Sequence, residues 1–211
     1  MPLGGERQDY EGQGLRRDAV SPDPVEQVRA WLHDAREAGI FEPEAMTLST
    51  VGDDGRPSSR YVLLRSLDER GFSFFTNYES AKGRALAERP YAALTFGWLA
   101  LHRALRVEGD VERLPAQESD AYFATRPRGA QISAWASPQS TVIASRDELD
   151  RATVQIEQRF DGVAVPRPPY WGGFLVRPRL IELWQGRPNR LHDRLRYMRE
   201  DGGWRIERLA P

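Results

Sequence analysis

Hydrophobic periodicity changes once near the start of this chain, and that change restricts the folds open to it. Up to Gly39 the apolar residues recur at helical spacing, with Val25, Val28, Trp31 or Leu32, and Ala35 forming one stripe. Asp23-Pro24-Val25-Glu26 supplies a capping residue, a proline suited to the first turn and an acid three residues past the cap, so a helix begins there and Gly39 ends it. From Ala45 the period is two. Residues 46–51, 60–66 and 72–76 read as strands joined by turns at Asp53-Asp54-Gly55 and Asp68-Glu69-Arg70-Gly71. Turns this short connect only antiparallel neighbours. Ser80 caps a short helix over 81–88, and strands follow at 91–98 and 104–108, with 111–114 extending the second past a break at Gly109. Helices are expected over 115–125 and from the Ser145 cap to Phe160, before a last β section at 171–176, 180–184, 190–197 and 204–209. The expected fold is mainly β with peripheral helices, a closed or nearly closed barrel rather than a parallel doubly wound sheet. Residues 1–22, polar and Gly-rich, read as a mobile arm, and 23–211 as one domain.

Composition narrows the chemistry. The 30 Lys and Arg residues are balanced by 31 Asp and Glu, giving a formal charge of −1, so neither nucleic acid nor a membrane is an expected partner. Lys82 is the only lysine, and every other cationic side chain is an arginine or one of three histidines. The absence of cysteine excludes disulfides, thiolate nucleophiles, iron–sulfur clusters and Cys-based zinc sites. His33, His102 and His192 are far apart and form no H-E-x-x-H pattern, so no metal site is expected. With no apolar run of 18 residues and no apolar segment at the start, the chain reads as a soluble cytoplasmic protein.

Neither G-x-x-x-x-G-K-[ST] nor a strand-to-helix G-x-G-x-x-G occurs, so any phosphorylated ligand must be held by side chains, for which guanidinium forks are well suited. In Arg190-Leu191-His192-Asp193-Arg194-Leu195-Arg196 a period of two puts Arg190, His192, Arg194 and Arg196 on one strand face and the leucines on the other. A solvated arginine face is the plainer reading; the histidine inside the row, with Trp184-Gln185 upstream, favours a site. Ser59-Arg60-Tyr61-Val62-Leu63-Leu64-Arg65 is a strand with arginines near both ends, which also suits an ordinary core strand. Thr76-Asn77-Tyr78-Glu79-Ser80-Ala81-Lys82-Gly83 brings a hydroxyl, a lysine and free N–H groups to a helix start, an arrangement that attracts anions. Tyr122 and Arg126, four apart, share a helix face, and Gln139-Ser140 offers polar groups in a turn. His33, on an amphipathic helix, and His102, in a turn, read as surface residues.

Together these segments resemble the pyridoxine (pyridoxamine) 5′-phosphate oxidase family, from Arg7 to the C-terminal Arg208-Leu209-Ala210-Pro211. The most specific stretch is Ile181-Glu182-Leu183-Trp184-Gln185-Gly186-Arg187-Pro188-Asn189-Arg190-Leu191-His192-Asp193-Arg194, similar to the family signature W-Q-G…R-L-H-D-R. Phe74-Phe75-Thr76-Asn77, Arg126-Pro127-Arg128, Trp135 to Ser140 and Trp171-Gly172-Gly173-Phe174 support it in the right order. The resemblance implies an FMN-binding split β-barrel working as a homodimer, with FMN at the subunit interface. It implies that Arg60, Tyr61, Val62, Leu63, Leu64, Arg65, Phe75, Thr76, Lys82, Gln139, Ser140, Trp184 and Arg194 contact FMN. Substrate phosphate would be gripped by Arg65, Tyr122 and Arg126, while Arg190 and His192, the implied catalytic pair, would hold the pyridine ring. Arg7 and Tyr10 match positions in an arm that closes over the substrate as a lid. The implied reaction oxidises pyridoxine or pyridoxamine 5′-phosphate to pyridoxal 5′-phosphate, with O₂ as acceptor and H₂O₂ as product.

Four positions depart from the family pattern. Arg65 stands where lysine is usual, replacing a point charge with a planar fork. Ala130 replaces a serine that would donate to substrate phosphate, a loss of about 1 kcal/mol. Ala104 and Ala81 stand where a flavin-contacting glutamine and an arginine are common. The alternatives are a split-barrel flavin oxidase of another pathway, such as phenazine biosynthesis, and a non-catalytic flavin- or vitamin-binding protein.

Overall fold

The computed structural model describes Tyr10 and residues 14–211. Asp23 caps α1 (Pro24–Glu37) by accepting from the Val25 N–H, and Gly39, at φ +69, turns the chain out of it. Glu26 does not close a capping box; its carboxylate meets the Ser21 hydroxyl, whose oxygen accepts from the Asp23 N–H. The strands then run β1 (Ala45–Val51), β2 (Pro57–Leu63), β3 (Ser66–Asp68) and β4 (Gly71–Asn77). The single strand expected over 60–66 is thus two, because the chain leaves β1 at Leu63 and joins β4 at Ser66. Ser80 caps α2 (Ala81–Glu88) through the Gly83 N–H, and β5 (Tyr91–Trp98) and β6 (Arg103–Arg113) follow. The break at Gly109 is a register shift against the next strand, where a Cβ would lie 2.0 Å from the Arg177 carbonyl oxygen.

Three helices, α3 (Ala116–Thr125), α4 (Arg128–Ala136) and α5 (Arg146–Arg159), lead to the 15-residue β7 (Trp171–Gln185), then β8 (Asp193–Glu200) and β9 (Gly203–Leu209). The two strands expected over 171–184 are one. Every pairing is antiparallel, in the order β2-β1-β5-β6-β7-β4-β3, with β8 and β9 continuing from β7. The two ends of this path, β2 and β3, do not pair, so the sheet is a curled half-barrel and not a closed one.

The core fills the curl. Val28, Trp31 and Leu32 of α1 pack on Met46, Leu48, Leu94, Phe96, Leu105, Leu183 and Leu195, all buried. A second cluster of Phe123, Ile132, Phe160, Val165 and Trp171 fastens the three-helix segment to the start of β7. Among the described residues, no helix is long and apolar enough to cross a membrane.

Candidate functional site

A cavity of about 470 Å³, within the range of small-molecule sites, opens where β2, β4, α2, α3 and β7 converge. Arg60, Tyr61, Val62 and Leu63 line it from β2, Arg65 from just beyond, Phe75 and Thr76 from β4, and Lys82 from α2. Tyr122, Arg126, Gln139 and Trp171 complete the wall. Leu64 instead belongs to the buried core, and Ser140, exposed at φ +70, is not part of the lining. In sequence Trp171 stands out only within a motif; its position, opening a strand after the Pro-rich 166–169 stretch, is the available signal.

Among the described residues, the lining holds four cations and no acid, and none of the four forms an ion pair. Many arginines elsewhere are paired, as Arg70 is with Asp68 and Glu118. Arg60 is aimed by neutral acceptors alone: the Leu48 carbonyl at 3.1 Å, the Thr50 hydroxyl at 2.9 Å and the Ser58 hydroxyl. Lys82 Nζ donates to Gln139 Oε1 at 2.9 Å and Thr76 Oγ1 at 3.2 Å. Burial, and then the Arg60 charge, push its pKa down to about 8. Gly83 lets this helix start sit so close to β4, since a Cβ there would lie 2.1 Å from the Tyr78 carbonyl oxygen.

Aromatic rings make the opposite wall. Phe75 stacks on Tyr122 with ring centroids 3.9 Å apart, and Tyr122 lies parallel to Trp171 within 5°. The Arg126 guanidinium lies over Trp171 at 4.6 Å. Arg126 is not on the helix with Tyr122, as its spacing suggested. Pro127 disfavours the helical conformation before it, and Arg126 ends α3 in an extended conformation. The two side chains still meet in the cavity. Burial lowers the Arg126 pKa, and its Nη1, buried, has no hydrogen-bond partner. A buried unpaired donor is costly unless a ligand meets it.

A second cluster sits at the far end of β7. Trp184 lies 4.6 Å from the His192 ring, and Tyr10 packs on His102 at 4.5 Å, His192 at 5.7 Å and Trp184 at 6.0 Å. His102 is therefore part of an aromatic nest and not a bystander on the surface; its place opposite Gly186 across the β6–β7 end, invisible in sequence, puts it there. Arg7 lies outside the described residues. The expected row of donors on one strand face does not form. Pro188, Asn189 and Arg190 make a short 3₁₀ turn with Asn189 at φ +55 and Arg190 at φ +62, and β8 begins only at Asp193. Leu191 is consequently 71% exposed, whereas Leu195 is buried. Left-handed backbone at a bulky arginine is strained, and such strain gathers at functional sites. Arg194 is held by buried Glu182 at 2.8 Å and the Ala210 carbonyl at 2.9 Å, and Arg196 pairs with Glu207.

The two clusters are separate in one chain. Trp171 opens β7 and Trp184 nearly closes it, so up to about 40 Å of strand lies between them. None of Trp184, Arg190, His192 and Arg194 lines the cavity.

Comparison with known proteins gives a consistent picture. Residues 26–160 match the family described as "Pyridoxamine 5′-phosphate oxidase", and 171–211 match "Pyridoxine 5′-phosphate oxidase C-terminal dimerisation region". A curated Pyridoxine/pyridoxamine 5′-phosphate oxidase of Salinibacter ruber is 56% identical over 208 residues, 97% of each chain. One from Rubrobacter xylanophilus is 54% identical over 209 residues, covering 99% of this chain and 96% of the relative. Among solved structures, PhzG from Burkholderia lata 383, in complex with tetrahydrophenazine-1-carboxylic acid, is 33% identical with a TM-score of 0.87, covering 92% of this chain and 95% of that one.

Proposed function

The chain belongs to the pyridoxamine 5′-phosphate oxidase family, and on that premise we propose that its two clusters are halves of one active site, each completed by the other copy of a homodimer. It is an FMN-dependent oxidase converting pyridoxine or pyridoxamine 5′-phosphate to pyridoxal 5′-phosphate. The observation that carries the composite site is a cavity with four unpaired cations whose complementary aromatic and imidazole groups lie at the other end of β7. Each half also bears an exposed large side chain, Tyr61 at 84% and Leu191 at 71%, suited to burial between copies.

The residues present fit the cofactor. Arg60 and Lys82, held by neutral groups, would take the FMN phosphate, and the remaining lining of β2 with Thr76 and Gln139 would edge the ring. Bound there, FMN would supply the two-electron acceptor for the hydride leaving C4′, with O₂ as the final oxidant. Arg126, with its unpaired Nη1, would grip substrate phosphate together with Arg65 and Tyr122. Phe75, Tyr122 and Trp171 exclude water beside it. Arg190, His192, Trp184 and Arg194 of the partner subunit would complete the ring site, with Arg190 supplying positive charge to the pyridine. The arm bearing Arg7 and Tyr10 would close as a lid over a single domain spanning 23–211, and we place the enzyme in the cytoplasm. Flavin absorbance of the purified protein, with O₂-dependent formation of pyridoxal 5′-phosphate from each phosphorylated vitamer, tests the activity; bound flavin without turnover contradicts it. The phenazine reading is disfavoured by the lower identity of that structure and by the unpaired Arg126 beside Tyr122.

Two single substitutions separate the halves. Lys82→Ala removes one charge-assisted contact of about 2 kcal/mol and should weaken FMN by about 30-fold, measured by titrating apoprotein with FMN and following fluorescence. In the wild type, FMN binding favours the ammonium form. Below pH 8 the charge is already present; above it a proton must be taken up, so FMN affinity should fall as pH rises through about 8. Lys82→Ala should flatten that dependence. Arg190→Ala should leave FMN bound and lower turnover by roughly 100-fold, the scale of losing one preorganised charge-stabilising donor. Normal turnover would remove Arg190 from the chemistry.

A further inference from the structure

His192 is held in a way that limits what it can do. Its Nδ1 lies 3.1 Å from the backbone nitrogen of Arg187. A peptide N–H can only donate, so the ring nitrogen facing it carries a lone pair, and the proton of the neutral imidazole sits on Nε2. We propose that the Arg187 N–H is a positioning group that fixes His192 in the Nε2–H tautomer, so that His192 offers the substrate a hydrogen-bond donor and is not the base of the reaction.

The surroundings all favour this arrangement. The turn carrying the Arg187 N–H is pinned at its start, where the Gly186 N–H donates to the His102 carbonyl at 2.7 Å and Gln185 Nε2 donates to the Leu101 and His102 carbonyls. It is pinned again where the Leu191 N–H donates to the Pro188 carbonyl at 3.2 Å. The ring's faces and edges are packed by Trp184 and Tyr10, which leaves little freedom to rotate. Gly186 makes this possible, since a Cβ there would meet the Tyr10 ring at 2.8 Å. Asp193, the adjacent carboxylate that could otherwise accept a proton from Nδ1, is committed elsewhere. It accepts from the Leu15 N–H at 3.0 Å and pairs with Arg208 and Arg187. With Nδ1 occupied as an acceptor and Nε2 protonated, the neutral ring has no free lone pair for a substrate proton. An acceptor atom on the substrate is the matching partner, which makes His192 a specificity contact for pyridines bearing such an atom near C4′.

The inference rests on the proposed placement of His192 against the substrate, and the experiment keeps the two apart. Long-range proton–nitrogen correlation spectra of the FMN-loaded dimer with ¹⁵N-histidine, recorded with and without pyridoxal 5′-phosphate, report each tautomer directly; the His192 signals are those lost in His192→Gln. We expect an Nε2–H tautomer in both states, with shifts that change on adding the product. An Nδ1–H tautomer would overturn the inference while shifts on product addition sustained the site. An Nε2–H tautomer whose shifts ignore the product would instead refute the placement and, with it, the donor role. Kinetics supply a second readout. Gln carries its amide nitrogen near the Nε2 position and Asn near Nδ1, so His192→Gln should keep a KM at least threefold closer to the wild-type value than His192→Asn. The reverse order would contradict donation from Nε2.

Discussion

Replacing Arg126 by methionine should lower kcat/KM for pyridoxine 5′-phosphate by about 100-fold and leave FMN affinity unchanged. The guanidinium is half-buried, lies over Trp171 at 4.6 Å, and has a buried Nη1 without a hydrogen-bond partner among the described residues. Nη1 is already desolvated in the free enzyme, so a phosphate oxygen arriving there forms a charge-assisted bond whose net worth, for one or two such contacts, is about 3 kcal/mol, or about 100-fold. Methionine keeps the apolar stem against Phe123 and Trp171 and removes only the charge. The loss should fall mainly on KM, because the phosphate is remote from C4′ and is bound alike in ground and transition states. Unphosphorylated pyridoxine, which cannot use the contact, should show no comparable loss. Equal losses for both substrates would mean that Arg126 supports the fold of the cavity and does not bind phosphate.

Much of this architecture is readable in the chain because its signals are local. Asp23, Ser80 and Ser145 cap helices where their sequence context says they should, each accepting a backbone N–H. The antiparallel order follows from turn length, and the Gly109 irregularity from the one residue able to tolerate an approach that close. The failures come from geometry that spacing does not encode. A strict period of two carried the last β section back to Arg190, yet Pro188 has no N–H to donate and Asn189-Arg190 adopts left-handed backbone, so the turn extends to His192 and the row of donors is broken. α4 is hidden in the sequence because Pro127 and Gly129 resemble a loop; Pro127 instead precedes its first residue, while the Gln131 amide ties it back to α3. Trp171 and His102 become visible as site residues only when strands distant in sequence are paired.

The positions that depart from the family pattern gain physical content from the structure. Ala104 pairs across from Trp184 at the second cluster, so the missing glutamine removes an amide there, in the half that holds Tyr10 and His192. Ala81 and Lys82 open α2, and the only charge left at that helix start within the cavity is the lysine. Lys82 reaches the Gln139 and Thr76 oxygens as a compact donor in a space already shared with Arg60.

The central claim is that the cavity of one chain and the Trp184–His192 cluster of another form one site. A mixed dimer decides it. Chains carrying Arg126→Met and chains carrying Arg190→Ala, co-expressed with different affinity tags and purified through both, give dimers with one defect per chain. If each site draws on both chains, one site in every mixed dimer carries both defects and the other carries none, so kcat/KM should recover to about half of wild type from parents that each hold about one per cent. If each chain instead builds its own site, every site keeps one defect. Activity of the mixed dimer at the level of its parents, with FMN bound and the dimer intact, would contradict the composite site.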